Sequence, residues 1–125
     1  MIKILVADDH AIVRNSIKQI ISDESDMEVT CEAEDTVQLF QKLENYNVDL
    51  IVMDFYMRGM NALEVMPVLC AKYAHIPVLV ISALSEELYS PKLLKAGASG
   101  FINKECAADE LVQAILNVMS KKSSQ

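Results

Sequence analysis

Residues 1–9 read MIKILVADD, and residues 48–54 repeat the same arrangement as VDLIVMD. Each stretch is a nearly unbroken run of apolar residues that ends in aspartate. Such a run, without polar alternation, is typical of a strand that is buried on both faces of a parallel sheet. The two stretches therefore predict two central strands of a parallel sheet, with carboxylates placed where each strand ends.

The rest of the chain alternates short apolar runs with segments in which apolar residues recur at helical spacing. The predicted strands are residues 2–7, 27–33, 48–53, 76–81 and 100–102, and the predicted helices are residues 12–21, 36–44, 61–73, a segment that ends at residues 96–97, and residues 109–119. Five strand–helix units predict a parallel sheet with helices on both faces. We therefore predict an α/β fold, the flavodoxin-like doubly wound (βα)5 three-layer sandwich, with strand order 2-1-3-4-5.

Two prolines fall within the predicted helices. Pro67 lies inside the third helix, where we expect it to remove a hydrogen bond and kink the helix. For Pro91 two interpretations are open, because the fourth helix either begins late, with the proline in its first turn, or bends at the proline. We favour the late start.

The composition limits the classes of protein that fit. The chain has 125 residues, with 11 Lys and Arg against 18 Asp and Glu, and a net charge of −7. This length suits one domain, and the acidic balance disfavours unaided binding to nucleic acid. No apolar run reaches the ~18 residues of a membrane span, so we expect no membrane contact. The 3 cysteines are widely spaced, and we expect buried thiols and a cytoplasmic location.

Polar side chains are predicted to meet at one edge of the sheet. Ligands of open parallel sheets bind beyond the carboxyl ends of the strands, where the strand order reverses. Asp8 and Asp9 end the first strand, Asp54 ends the third, Ser82 ends the fourth, and Lys104 follows the fifth. Clustered carboxylates repel one another, and a cation such as Mg²⁺ relieves that repulsion.

The same residues suit phosphoryl transfer. With a metal beside it, Asp54 could attack a phosphoryl group and form an acyl phosphate. Lys104 offers a compact positive charge to one phosphate oxygen, and Ser82 offers a hydroxyl donor to another. Positioning and charge neutralisation are most of what this reaction requires.

In these motifs the sequence resembles the receiver domain of bacterial two-component response regulators. It is most similar to the NarL/FixJ subfamily, whose members carry a LuxR-type helix-turn-helix output. The motifs that carry the resemblance are residues 6–10 (VADDH) with 12–14 (IVR), 49–54 (DLIVMD), 81–83 (ISA) and 95–104 (KAGASGFINK). The resemblance covers essentially the whole chain.

The resemblance implies roles for the acidic residues. Asp54 resembles the aspartate that a sensor histidine kinase phosphorylates. Asp8, Asp9 and Asp54, with the backbone carbonyl of Tyr56, resemble the ligands of Mg²⁺ or Mn²⁺. We also hypothesise that the Tyr56 side chain shields the phosphoryl linkage from water.

The resemblance also implies a switch. Ser82 and Lys104 resemble the residues that contact the phosphoryl group, and Phe101 resembles the aromatic residue that follows Ser82 as it moves. The surface of the fourth helix, fifth strand and fifth helix would then change its affinity for partners. A homodimer that forms on phosphorylation is one possible result.

The family further implies the organisation of the parent protein. Residues 1–119 would form the receiver domain, and residues 120–125 a polar tail or the start of a linker to an output domain outside this chain. DNA would be bound only through that separate C-terminal helix-turn-helix domain. The chain itself is expected to accept a phosphoryl group without turning over an external substrate, and so not to be an enzyme.

Several alternatives stay open. Arg58 and Ala62 stand where receivers commonly have proline and glycine, which leaves room for a degenerate receiver that acts only as a docking module. An aspartyl-phosphate phosphohydrolase is less favoured, because the dehalogenase type places Asp-x-Asp after the first strand. Asp8 and Asp9 could merely cap the first helix. His10 is interpreted as a loop or helix-start residue.

Overall fold

The computed structural model describes residues 1–83 and 86–123. Strands and helices alternate along that part of the chain. The strands are β1 (Ile2–Ala7), β2 (Met27–Ala33), β3 (Leu50–Asp54), β4 (Val78–Ser82) and β5 (Gly100–Asn103). The α-helices are α1 (Ala11–Ser22), α2 (Thr36–Asn45), α3 (Ala62–Lys72), α4 (Glu86–Lys95) and α5 (Ala107–Ser123), and a 3₁₀ turn at Lys104–Cys106 precedes α5.

The strands form one parallel sheet in the order β2-β1-β3-β4-β5, which confirms the predicted topology. The register aligns the strand ends at one edge. Ala7 at the end of β1 pairs with Met53, and Asp54 at the end of β3 pairs with Ile81. Ser82 pairs with Asn103 at the end of β5. The residues that follow these strands are therefore brought to the same edge.

Two apolar cores lie on opposite faces of the sheet and give the three-layer sandwich. On one face Ile51 packs with Leu39 of α2, Met66 of α3 and Leu93 of α4. On the other face the neighbouring residue, Leu50, belongs to a cluster with the inward residues of α1 and α5, which include Ile17, Leu111 and Ile115. Successive strand residues point to opposite faces, so the unbroken apolar runs supply both cores at once.

The first turns of three helices show how their starts are fixed. Asn61 and Glu64 form a reciprocal capping box at the start of α3, and Asp35 caps α2 by accepting a hydrogen bond from the Gln38 N–H. The N-cap of α1 is His10. Asp8 therefore lies before the cap position, and the alternative that the acidic pair merely caps α1 is wrong.

The fourth helix corrects the prediction about Pro91. α4 already runs from Glu86 and contains Pro91 in its interior, so the late start is wrong. Residues 84–85, which precede it, lie outside the described part. Leu93 is fully buried against the sheet, and Lys92 and Lys95 lie in the last turn, where positive charge stabilises a helix. Burial and charge together offset the hydrogen bond that proline removes.

Other predicted boundaries moved by a few residues. Pro67 lies inside α3 as predicted, and α5 runs four residues further than the predicted end at residue 119, to Ser123. The expectation of buried thiols holds for Cys31, is wrong for Cys70, which is exposed, and holds only in part for Cys106, which is half-buried. Cys70 follows the inward Leu69 on α3, and consecutive helical residues point in different directions. None of the helices in the described ranges is long and apolar enough to cross a membrane.

Candidate functional site

The carboxylates predicted to meet do lie together at the carboxyl edge of β1 and β3. Single ligand atoms of Asp8, Asp9, His10 and Asp54 lie within 4.8 Å of one another. Asp8 is 2% exposed and Asp54 6% exposed. Both are therefore buried acids, not solvent-exposed acids at the ends of strands.

Burial changes the acidity of Asp54. Removal from water raises the pKa of its carboxyl above the ordinary value, and the negative charge of Asp8 raises it further. The ammonium of Lys104 acts in the opposite direction, both by its charge and by a hydrogen bond. Asp54 thus carries its negative charge at a cost that a nearby cation would reduce.

Lys104 supplies the positive charge of the site. It is the first residue after β5, in the 3₁₀ turn, and Asn103 caps that turn. Its Nζ donates to Oδ2 of Asp54 at 3.1 Å and lies 3.7 Å from Oδ2 of Asp8. One ammonium is therefore shared between carboxylates from two neighbouring strands.

One carboxylate oxygen of Asp9 is buried without a hydrogen-bond donor among the described residues. Its Oδ1 is buried and accepts no hydrogen bond from any residue in the described ranges, although Nδ1 of His10 lies 2.9 Å away. A buried carboxylate oxygen in this state is costly unless a cation or water satisfies it. The three carboxylates together offer oxygen ligands of the kind that Mg²⁺ prefers, so the residues present fit a divalent cation.

Two residues that contact Asp8 of the acidic pair were missed from the sequence. His10 was expected to be a helix-start residue, which is confirmed, but its backbone N–H and its Nδ1 also lie 2.8 Å and 3.1 Å from Oδ1 of Asp8. Arg14 donates from Nη1 to the backbone carbonyl of Asp8 at 2.6 Å. Their nearness to Asp8 in the sequence is the only available signal, and it does not distinguish these contacts from a solvent-facing arrangement.

Of the other predicted site residues, Ser82 and Tyr56 lie at or just beyond the same edge, whereas Phe101 lies inside β5 and pairs with Val80 of β4. Ser82 is 1% exposed at the end of β4, between the strands that carry Asp54 and Lys104. Phe101 is half-buried on β5 and packs against the core. Tyr56 is 58% exposed, and its ring meets that of Phe55 edge to face, with centroids 4.9 Å apart.

The loop that follows β3 is held in place by the start of α2. Gly59 has a φ of +105°, and a Cβ added there would collide with Oγ1 of Thr36. The Thr36 N–H donates to the carbonyl of Arg58 at 3.2 Å. Ala62 is 1% exposed at the first position of α3. Arg58 and Ala62 stand where receivers commonly have proline and glycine. The loop accommodates both residues, because the contact between Gly59 and Thr36 fixes its conformation.

Residues 4–116 match the family described as the response regulator receiver domain. The chain belongs to this family. It is 38% identical to the transcriptional regulatory protein DegU of Brevibacillus brevis over 114 residues, which cover 91% of this chain and 48% of DegU. Taken with the solved structures below, these matches identify a receiver domain of the NarL/FixJ type.

Solved structures agree with this assignment. The response regulator domain of Thermotoga maritima CheB superimposes with a TM-score of 0.87 at 31% identity, covering 96% of this chain and 97% of that domain. The signal receiver domain of the putative response regulator NarL from Mycobacterium tuberculosis gives a TM-score of 0.85 at 28% identity, covering 93% and 94%. The receiver spans about half the length of DegU.

Proposed function

We propose that the receiver is a phosphoacceptor switch in which Asp54 accepts a phosphoryl group from a sensor histidine kinase. The observation that carries this proposal is the pairing of Lys104 Nζ with Oδ2 of Asp54 at 3.1 Å, beside the carboxylates of Asp8 and Asp9. A nucleophile with one fixed ammonium and a ready cation site matches the needs of phosphoryl transfer.

In the proposed reaction an ionised oxygen of Asp54 attacks the phosphorus of a phosphohistidine. The new oxygen–phosphorus bond forms as the phosphorus–nitrogen bond breaks, and that electron pair returns to the imidazole of the kinase. Lys104 then follows the negative charge from the carboxylate to an oxygen of the bound phosphoryl group. The acyl phosphate that results keeps the added charge inside a mostly buried site.

The metal site proposed for this reaction consists of Asp8, Asp9, Asp54 and the backbone carbonyl of Tyr56. A bound Mg²⁺ or Mn²⁺ supplies positive charge that neutralises the phosphoryl oxygens. The unsatisfied Oδ1 of Asp9 supports its assignment as a ligand. The exposed ring of Tyr56 is proposed to limit the access of water to the acyl phosphate.

The readout is proposed to pass through Ser82 and Phe101. Ser82 would donate its hydroxyl to a phosphoryl oxygen, and Phe101 would turn inward behind it. The surface formed by α4, β5 and α5 then differs between the two states, and the phosphoryl group favours one of them. The phosphorylated state of that surface is proposed to bind partners with a different affinity, and one such partner would be a second copy of the chain.

The parent protein is proposed to be a transcription regulator of the cytoplasm. Residues 1–119 would be its receiver, and residues 120–125 a polar tail or the start of a linker, of which the part up to Ser123 continues α5. DNA would be bound by a separate C-terminal helix-turn-helix domain. The relation to DegU, a transcriptional regulatory protein about twice as long as the matched stretch, supports this proposal. No turnover of an external substrate is expected.

The test is acylphosphate formation with a small donor. We expect acetyl phosphate and Mg²⁺ to add one phosphoryl group, seen by intact mass spectrometry and removed by hydroxylamine. Asp54→Asn and chelation by EDTA should each abolish the label. Asp49→Asn is the matched control, because Asp49 lies just before β3, at its opposite end, and its side chain accepts a hydrogen bond from the Lys3 backbone N–H at 2.9 Å.

The alternatives give different outcomes in the same assay. An unlabelled wild-type protein that still binds a kinase would support the docking module and overturn the phosphoacceptor proposal. Sustained hydrolysis of para-nitrophenyl phosphate that depends on Asp54 would support a phosphohydrolase instead. Label retained in Asp54→Asn would place the acceptor at another residue.

A further inference from the structure

Arg14 contacts the backbone of the acidic pair, Asp8 and Asp9. The proposed reaction assigns no role to its side chain. Arg14 belongs to the first turn of α1 and is 9% exposed, which is unusual for arginine. Its Nη1 donates to the backbone carbonyl of Asp8 at 2.6 Å, within the protein interior. That carbonyl belongs to the peptide unit that joins Asp8 to Asp9, so the guanidinium holds the backbone between two proposed metal ligands.

The guanidinium is itself held from two further directions. Its Nε donates to Oε1 of Glu32 at 3.1 Å, and its Nη2 lies 3.5 Å from Oε1 of Glu34. Each glutamate has a second cationic partner: Lys18 at 3.0 Å from Glu32 and Arg58 at 3.6 Å from Glu34. A planar guanidinium can serve several acceptors at once in fixed directions, so Arg14 has little freedom to leave the Asp8 carbonyl.

The other groups of this turn are also engaged. The Asp8 N–H donates to the carbonyl of Ala33 at 3.0 Å, and the His10 N–H donates to Oδ1 of Asp8 at 2.8 Å. With the contact from Arg14, the backbone on both sides of Asp8 is fixed. A site whose ligands are already ordered loses less conformational entropy when it binds an ion.

We propose that Arg14 is a positioning residue that sets the metal affinity of the site by fixing the peptide unit between Asp8 and Asp9. This inference rests on the proposed function, because it needs Asp8 and Asp9 to hold a divalent cation. Arg14 touches neither the cation nor the phosphoryl group in this scheme. Its effect is therefore on the half-saturating concentration of Mg²⁺ more than on the rate of phosphorylation at saturating Mg²⁺.

The test compares Arg14→Gln with Lys18→Gln in the whole chain. Lys18 is the matched control, since it lies on the same helix and its Nζ donates to the same glutamate at 3.0 Å, but its side chain is 40% exposed. Mg²⁺ affinity is measured by titration of backbone amide resonances. We expect Arg14→Gln to raise the Kd for Mg²⁺ about tenfold, in the range found for groups that orient metal ligands, and Lys18→Gln to change it less than twofold.

Two further measurements separate positioning from general destabilisation. In metal-free protein, the amide protons of Asp8 and His10 should exchange faster in Arg14→Gln than in Lys18→Gln at equal global stability. Phosphorylation by acetyl phosphate, followed against Mg²⁺ concentration, should show a raised half-saturation point and a maximal rate within about twofold of wild type. If Arg14→Gln does not fold, Arg14→Lys replaces it, because a single ammonium cannot hold the carbonyl and Glu32 in the same geometry.

The outcomes are distinguishable. A folded Arg14 variant with wild-type Mg²⁺ affinity and wild-type exchange overturns the positioning role while leaving the phosphoacceptor proposal intact. A wild-type chain that binds no Mg²⁺ overturns both. A lowered maximal rate with unchanged half-saturation would contradict the inference as well, because it would place Arg14 in the reaction itself.

Discussion

Glu32 and Asp54 are carboxylates whose surroundings shift their pKa in opposite directions. Burial raises the pKa of both carboxyl groups. In Glu32 the hydrogen bonds and charges of Lys18 and Arg14 outweigh burial, and its pKa falls below the ordinary 4.5. In Asp54 burial and Asp8 prevail over Lys104, and its pKa rises. Glu32 is thus stabilised as an ion, whereas ionisation of Asp54 is disfavoured by its surroundings.

The lowered pKa of Glu32 predicts how the stability of a variant depends on pH. The folded state binds the Glu32 proton less tightly than the unfolded state, so its stabilisation is present above the unfolded pKa near 4.5 and is lost as the pH falls through the folded pKa. We expect Glu32→Gln to lower the free energy of unfolding at pH 7 by about 0.5–1 kcal/mol, since Glu32 and Lys18 are partly exposed. The deficit should shrink below pH 4.5.

Urea unfolding from pH 7 down to about pH 2.5 measures this dependence, because the loss falls below the ordinary pKa of 4.5. Glu28→Gln is the control, because Glu28 is exposed on the same strand, and its effect should be smaller at every pH. A deficit in Glu32→Gln that stays constant with pH would contradict the assigned cause.

The positions of the three acidic residues could be predicted from the sequence, whereas the contacts of Arg14 could not. Asp8, Asp9 and Asp54 follow apolar runs, which place them at strand ends whatever the details of packing. Arg14 depends on Glu32 and Glu34, which lie 18 and 20 positions away. Which helix residue meets which strand residue depends on the distance and angle between α1 and β2, and no local pattern specifies that geometry.

Among the helices, α4 shows the competition between local propensity and tertiary packing. A proline in a helix interior removes a hydrogen bond to the carbonyl four residues earlier and clashes with it. Local rules therefore favoured a start near Pro91. The fully buried Leu93 supplies an anchor that the sequence pattern does not weigh against the proline, and the helix extends from Glu86.

This interpretation predicts that Pro91→Ala stabilises the protein. Pro91 is exposed, so alanine costs no packing and restores a backbone N–H inside α4. We expect the free energy of unfolding to rise by about 1–2 kcal/mol, after allowance for the greater freedom of the unfolded alanine chain. Chemical denaturation at neutral pH measures the change.

Pro77→Ala is the matched control for that measurement. Pro77 precedes β4, outside any helix, and its carbonyl accepts the Ile51 N–H at 3.0 Å, a bond that alanine keeps. A small loss of stability, up to about 1 kcal/mol, is expected there. If Pro91→Ala were as destabilising as the control, α4 would not run through residue 91.

Over the whole molecule, adjacent residues of β3 connect the two cores. Leu50 and Ile51 are both fully buried, yet they belong to clusters on opposite faces of the sheet. We expect Leu50→Ala and Ile51→Ala each to lower the free energy of unfolding by about 2–5 kcal/mol. Because one sheet carries both cores, each variant should still unfold in a single transition.

Coincident urea curves from far-UV circular dichroism and tyrosine fluorescence check this cooperativity. Val37→Ala on the exposed surface of α2 is the apolar control and should shift stability by less than about 0.5 kcal/mol. Separate transitions for the two probes in either core variant would show that the faces unfold independently.

The global architecture could be predicted because few folds accommodate five parallel strands with covering helices. The apolar runs at 2–7 and 48–53 identify strands buried on both faces, and right-handed crossovers leave few strand orders. The shared edge of the sheet then follows, and with it the meeting of Asp54 and Lys104. The individual side-chain contacts at this edge could not be predicted, because they depend on side-chain directions and loop geometry. The contact between Gly59 and Thr36 is an example.

The ion pair between Lys104 and Asp54 joins residues 50 positions apart. During synthesis the three carboxylates leave the ribosome well before Lys104 does. A chain complete only through β4 therefore holds its acidic residues without the ammonium that balances them. Addition of β5 and the turn that follows it closes this long loop and completes the charge pattern in one step. The complete arrangement of three carboxylates and one ammonium therefore exists only once the last strand has docked.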